Sequence, residues 1–161
     1  MSPNDISIAV ADPREAVARD CLRAYFEELG RRFDDGFDPA LSIPAEDAEL
    51  TRPAGLLLVA TVDGEPAGCG ALKFHPEDGI AEVKRMWVSP AVRGRGLGRR
   101  LLAELEHQAA RHGVRRLRLE TNRNLTEAIA LYRGAGYREV AAFNNEAYAH
   151  HWFEKPVSGG R

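Results

Sequence analysis

Between positions 93 and 98 the chain reads Arg-Gly-Arg-Gly-Leu-Gly, after an apolar run closed by Pro90 and before a stretch with helical apolar spacing over residues 96–112. Glycines at this density let the backbone turn until successive N–H groups face one point. A helix N-terminus beside them adds the positive end of its dipole, so phosphate or pyrophosphate is the ligand such a cradle suits. A glycine-rich surface loop with solvated arginines would show the same residues, but the strand before and the helix after are what phosphate loops require. Two common phosphate loops do not fit. No Gly-Lys-Ser/Thr follows, and Arg99 stands where a dinucleotide fingerprint has its third glycine, although Glu120 imitates the ribose-binding acid. The residues after the loop are also too few for the usual six-strand sheet of that fold.

Other chemistries find less support. His107 and His112 are five apart and off one helical face, and His150-His151 lacks a nearby acidic or cysteine pair, so no metal site is expected. There is no Gly-x-Ser-x-Gly elbow. Cys21 and Cys69 form neither a disulfide framework nor a CxxC pair, which suits a reduced cytoplasm. Net charge is −2 from 22 basic and 24 acidic residues, yet residues 84–118 carry ten Lys/Arg against Glu104 and Glu106 alone. Residues 1–83 hold seven basic against seventeen acidic residues, which leaves a local anion site in mid-chain. The mid-chain arginines interleave with apolar residues, as on the outer side of an amphipathic helix, so a nucleic-acid partner is not expected. The start, Met-Ser-Pro-Asn-Asp, lacks a signal-peptide pattern, and the apolar stretch 54–62 falls far short of the ~20 residues a bilayer needs. A cytoplasmic protein without a membrane partner is the expectation.

The elements that must position the loop follow from periodicity. With 161 residues the chain is expected to be a single domain over 1–161. Ile6, Ile8 and Val10 alternate as a first strand; a helix then runs from Pro13 to about Leu29, with Gly30 as its stop. Residues 31–53 read as a loop with one short helix near 45–50. Asp63-Gly64 turns a hairpin between strands at 56–62 and 68–74, and a third strand spans 80–88. After the helix at 96–112 come a strand at 115–121 and a helix starting at Asn124, which with Glu127 resembles a capping box, and ending at Gly136. Strands at 137–142 and 151–154 finish the chain. The strand-helix-strand unit demands a parallel crossover among antiparallel hairpins, hence a mixed α/β (α+β) sheet in three layers.

Two segments in this order resemble the GNAT superfamily of N-acetyltransferases: Glu82-Val-Lys-Arg-Met-Trp-Val-Ser-Pro-Ala-Val-Arg-Gly-Arg-Gly-Leu-Gly98 and Ala130-Leu-Tyr-Arg-Gly-Ala-Gly-Tyr137. The first contains that superfamily's R-x-x-G-x-G signature as Arg93, Gly96 and Gly98. The resemblance implies a mostly antiparallel sheet of six or seven strands flanked by about four helices, and acetyl-coenzyme A as co-substrate without a metal. It implies that the backbone of Arg93, Gly94, Arg95, Gly96, Leu97, Gly98 and Arg99 holds the pyrophosphate, and that Met86, Trp87 and Val88 pair with the pantetheine arm. Tyr132 would give a proton to the departing sulfur; otherwise it is a core aromatic. Glu82, which strict alternation puts on one face with Lys84, Met86 and Val88, would take the amine proton directly or through a water, with Glu120 as second candidate. Leu125 occupies the place of a frequent cofactor-binding asparagine. Residues 143–152, with Tyr25 and Phe33, line the acceptor side or pack as a plain loop. The acceptor implied is a primary amine on a small molecule; a protein or peptide acceptor and a non-catalytic acyl-CoA sensor are the alternatives, and a homodimer is compatible with the chain.

Overall fold

A computed structural model describes residues 5–157. The reading of Met1 to Asn4 as lacking a signal segment, and both ends of the 1–161 assignment, lie outside the described residues. The elements run β1 (Ile6–Ala11), α1 (Ala16–Arg32), β2 (Gly55–Val62), β3 (Glu65–His75), β4 (Ile80–Val88), α2 (Leu97–Arg111), β5 (Arg116–Thr121), α3 (Thr126–Gly134), β6 (Arg138–Val140) and β7 (His151–Pro156). The strands form one seven-stranded sheet in the order β1-β2-β3-β4-β5-β7-β6. Only the β4–β5 pair is parallel, as the α2 crossover between them requires.

Period-two alternation sends each strand's side chains to two helical layers. Leu57, Val59, Cys69 and Ala71 pack on Ala18 and Cys21 of α1. Leu56, Leu58, Ala60, Leu72 and Val83 face the other way, onto Leu97, Leu101, Leu102 and Leu105 of α2 and Tyr132 of α3. The three helices are one fewer than expected. Between α1 and β2 only 3₁₀ turns form, at Pro39–Leu41 and Asp47–Leu50, because Pro39, Pro44 and Pro53 each remove an amide donor that a longer helix would need.

α1 begins at Ala16, with Glu15 as its N-cap, rather than at Pro13, and two further helix boundaries differ from the expectation for reasons that tertiary contacts supply. α1 continues through Gly30 to Arg32; a glycine costs a helix about 1 kcal/mol relative to alanine, and Arg32 offsets this by pairing with Glu127 at 2.8 Å and donating to the Asn124 carbonyl at 2.8 Å. Asn124 does not cap α3. The N-cap is Leu125, without a side-chain bond, because the Asn124 amide is engaged by the Arg32 carbonyl and Asp34 at 2.8 and 2.9 Å.

The irregularity that matters most lies in β4. Its register with β3 slips by one residue between Cys69 and Ala71, so β4 carries an extra residue there, and Arg85 adopts φ +58°. The bulge inverts the alternation. Val83 before it and Met86 and Val88 after it face the α2 side, while Lys84 lies opposite Ala71 of the α1 side, where Trp87 also packs. The expectation that Glu82, Lys84, Met86 and Val88 share a face is therefore corrected: the first two point to one side and the last two to the other.

Candidate active site

β4 and β5 pair only from Ile80 to Glu82 against Arg116 to Arg118, and beyond that no ladder bond joins them. Two cavities open where the strands diverge. The larger, about 350 Å³, runs along Met86, Trp87 and Val88 to the glycine loop; the smaller, about 90 Å³, lies toward the far end of β5. They share Tyr25, Leu29, Met86, Leu125, Ala128 and Tyr132, so these side chains surround the passage between them.

Arg93, Gly94, Gly96, Leu97, Gly98 and Arg99 all line the larger cleft; Arg95 is not among its lining residues. Gly94 at φ +84° and Gly96 at φ +77° occupy the left-handed region that side chains resist. That geometry turns the chain into α2, whose first helical bond runs from Arg100 N to Gly96 O at 3.1 Å. The N–H groups of Leu97, Gly98 and Arg99 precede that bond and have no helical acceptor. The guanidinium of Arg93 is engaged elsewhere, with Glu28 at 2.6 Å. The donors that the cleft offers an anion are these backbone groups, with the exposed Arg99 side chain beside them.

Tyr132 is 5% exposed and stands on the passage. Its ring packs edge-on to Tyr137 at 5.9 Å and against Phe153 at 6.2 Å, while no hydrogen bond among the described residues engages its hydroxyl. Burial, reinforced by Tyr25 and Glu120, pushes the phenol far above its ordinary value, so the proton is held throughout the neutral range.

The two candidate carboxylates are joined by one lysine. Lys84 Nζ lies 3.4 Å from Glu82 Oε1 and 3.5 Å from Glu120 Oε1, all three buried. Glu82 also contacts His75 Nε2 and lies 3.9 Å from Arg118. Burial alone would raise the Glu82 carboxyl, but Lys84, His75 and Arg118 together hold it below the usual 4.5. Glu82 lines neither cavity; Glu120 and Lys84 line the smaller one. Asn144 Nδ2 donates to Glu120 Oε1 at 2.8 Å.

Phe33, Phe37 and Tyr148 form the aromatic wall of the smaller cavity, with Tyr148 at 5.3 and 4.9 Å from the two phenyl rings. Glu146 sews this wall together by accepting from Ser42 Oγ at 2.6 Å and Ile43 N at 2.9 Å. Residues 143–152 thus do line this cavity, through Glu146, Tyr148 and Ala149. Sequence reasoning missed Phe37, Ser42, Ile43, Lys84 and Arg85 as lining residues. The proline-rich 31–53 segment has no periodicity to place the first three, and the bulge that orients Arg85 has no sequence mark. Asp34 and Asp38 are surface groups: Asp34 pairs with Arg123 at 3.0 Å, and Asp38 accepts from Ala40 N. Among the described residues no cluster of three His, Cys, Asp or Glu could hold a metal ion.

The model of the Acetyltransferase (GNAT) family matches residues 18–137. The chain belongs to the GNAT acetyltransferase family. This acetyltransferase is 40% identical over 131 residues to the IAA acetyltransferase of Azospirillum brasilense, covering 81% of this chain and 85% of that one. It is 33% identical to the uncharacterized N-acetyltransferase YjgM of Escherichia coli, over 78% of this chain and 76% of its relative. Among solved structures, an assigned acyl-CoA N-acyltransferase of Klebsiella pneumoniae superposes with a TM-score of 0.75 at 29% identity, covering 94% of this chain and 97% of that one. The ribosomal-protein-S18-alanine N-acetyltransferase of Escherichia coli shares the fold, with a TM-score of 0.65 at 21% identity over 98% and 97% of the two chains. The acetyltransferase is therefore an acyltransferase by family, with a mixed GNAT-like sheet, and the family uses acetyl-coenzyme A. Among the described residues no helix is long and apolar enough to cross a membrane.

Proposed function

We propose that this chain is a cytoplasmic, single-domain enzyme that transfers the acetyl group of acetyl-coenzyme A directly to the primary amine of a small molecule. The observation that carries the reading is the position of Tyr132, a protonated, otherwise unbonded phenol on the passage between a cofactor-sized cleft and a smaller polar cavity. The residues fit the cofactor: unpaired N–H groups at the start of α2 suit a pyrophosphate, and the β4 edge freed by its divergence from β5 suits an extended arm. When bound, acetyl-coenzyme A supplies the acetyl group as an activated thioester.

Each remaining role belongs to this chain's own atoms. The backbone from Met86 to Val88 orients the cofactor arm, and the N–H groups of Leu97 to Arg99 fix its charged end. Tyr132 Oη holds the proton that a leaving thiolate requires. Glu120, on the cavity wall, accepts the proton of an incoming ammonium at Oε1 or Oε2, directly or through a water. Glu82 acts behind it as a positioning residue, holding Lys84 against Glu120. Cys21 and Cys69 are fully buried and line neither cavity, which supports direct attack over an acetyl-cysteine intermediate. A small acceptor is favoured over a protein because Glu146 and Tyr148 tie residues 38–43 across the smaller cavity. The test is a coenzyme A release assay across amino acids, polyamines, aminoglycosides and peptides. Turnover confined to peptides would refute the small-molecule assignment.

A further inference from the structure

On the wall of the acceptor cavity Lys84 and Glu120 are ion-paired and Glu146 is held by hydrogen bonds, which leaves the Arg85 guanidinium as the lining charge with the weakest polar partners. Lys84 is matched by Glu82 and Glu120. Glu120 is further held by Asn144, and Glu146 by a hydroxyl and two backbone N–H groups. The Arg85 guanidinium lines the same cavity, half-buried, yet among the described residues no carboxylate lies within ion-pairing distance. Its protein contacts are one weak bond to the Ala45 carbonyl at 3.4 Å, a polar side-chain contact with Tyr25, and the ring faces of Phe26 and Tyr25 at 5.0 and 5.8 Å. Most of its N–H donors are unspent.

The side chain is also held there at a cost. Arg85 sits on the β4 bulge at φ +58°, a backbone conformation unfavourable for a non-glycine residue, and the bulge breaks the alternation on which its neighbours depend. A half-buried cation without a counter-ion is unfavourable in the empty cavity and becomes favourable once an anion arrives, since guanidinium matches a carboxylate with paired hydrogen bonds.

We infer that the acceptor is an α-amino acid bearing an aromatic or large apolar side chain, its carboxylate held by Arg85. This rests on the acetyl-transfer reading of the site and narrows its substrate class. Arg85 adjoins Met86, which borders both cavities, so the carboxylate site lies one residue from the passage where the amine must attack. That proximity suits a carboxylate close to the amine in the acceptor. The rest of the wall, Phe33, Phe37 and Tyr148, receives the side chain.

The test compares phenylalanine with its amide and with phenethylamine, using kcat/KM expressed per concentration of free amine so that their different ammonium acidities cancel. The acid is expected to exceed both analogues by about ten- to a hundredfold, chiefly through KM. Arg85→Gln should bring the ratio of acid to amide to about one, and Arg85→Lys should recover part of it. Equal rates on acid and amide in the unaltered protein would overturn the inference, and that comparison needs no variant. So would a variant that lowers both rates in proportion, since Arg85 would then only support the fold. Turnover of polyamines or neutral amines without preference for the acid overturns this inference alone. Absence of turnover with any amine, peptides included, overturns the acetyl-transfer reading with it.

Discussion

Replacing Tyr132 by phenylalanine isolates one hydroxyl. The ring keeps its edge contact with Tyr137 at 5.9 Å and its packing on Phe153 at 6.2 Å. The hydroxyl has no described hydrogen-bond partner, so its removal strands no buried polar group, and the melting temperature should move by no more than a degree or two. What is lost is a proton donor in the transfer step, a contribution of about a hundred- to ten-thousandfold in kcat. By the transition-state relation that corresponds to roughly 2.7 to 5.4 kcal/mol. Steady-state kinetics at saturating amine, monitored by thiol release, measures it, and differential scanning fluorimetry reports stability on the same samples. Because burial raises the phenol, its protonated form persists well above neutral pH. The unaltered enzyme should therefore show no Tyr132-dependent loss of rate between neutral pH and about pH 9. Unchanged kcat in Tyr132→Phe, or a fall in kcat matched by a large fall in melting temperature, would refute the donor role and leave Tyr132 a core aromatic.

Further predictions concern the loop, the carboxylates and the thiols. Gly96→Val forces a β-branched residue into φ +77°, where a left-handed conformation costs about 1–2 kcal/mol for a side-chain-bearing residue, although its Cβ would meet nothing within 4 Å. Acetyl-coenzyme A affinity should fall about tenfold by calorimetric titration; unchanged affinity would remove the loop from the binding site. Glu120→Gln should lower the rate most at low pH and least where the free amine is abundant, whereas Glu82→Gln should do so more weakly; identical pH profiles for both variants and the parent would assign the proton to solvent or another group. Since Glu82 titrates below its ordinary 4.5 in the fold, it contributes stability that is present above that pH and lost as pH falls through its lowered value. Glu82→Gln should accordingly flatten the acid limb of melting temperature against pH, and an unaltered limb would contradict the network. Intact mass after incubation with acetyl-coenzyme A should show no acetyl adduct on Cys21 or Cys69.

Local signals made the cofactor side legible. Gly94, Gly96 and Gly98 before an apolar period of 3.6 announced a turn into a helix N-terminus, and the structure has that turn, with two of the three glycines at positive φ. The order of strands, the parallel crossover and the three-layer arrangement likewise follow from periodicity and connection rules. The acceptor side depends on long-range contacts that no window of sequence contains. Phe33, Phe37 and Tyr148 meet across more than a hundred residues, and Ser42 reaches Glu146 by a hydrogen bond. Gly30 and Asn124 looked like punctuation for the helices, but Arg32, bonded to Glu127 and the Asn124 carbonyl, joined the end of α1 to the start of α3 and moved both boundaries. The bulge at Arg85 is the most consequential omission. Nothing in Lys84-Arg85-Met86 marks a left-handed residue, yet that one insertion decides which of Glu82 and Met86 faces each layer.

The measurement that bears most directly on the account follows acetyl-coenzyme A and a panel of amines together in one reaction, quantifying free coenzyme A and N-acetylated product by mass spectrometry. Equal amounts of the two are expected, formed only when an amine is present, and in Tyr132→Phe both should form more slowly by the same factor without loss of acetyl-coenzyme A binding. Coenzyme A released without acetylated amine, or acetyl-coenzyme A bound tightly with no amine in the panel acetylated, would contradict it.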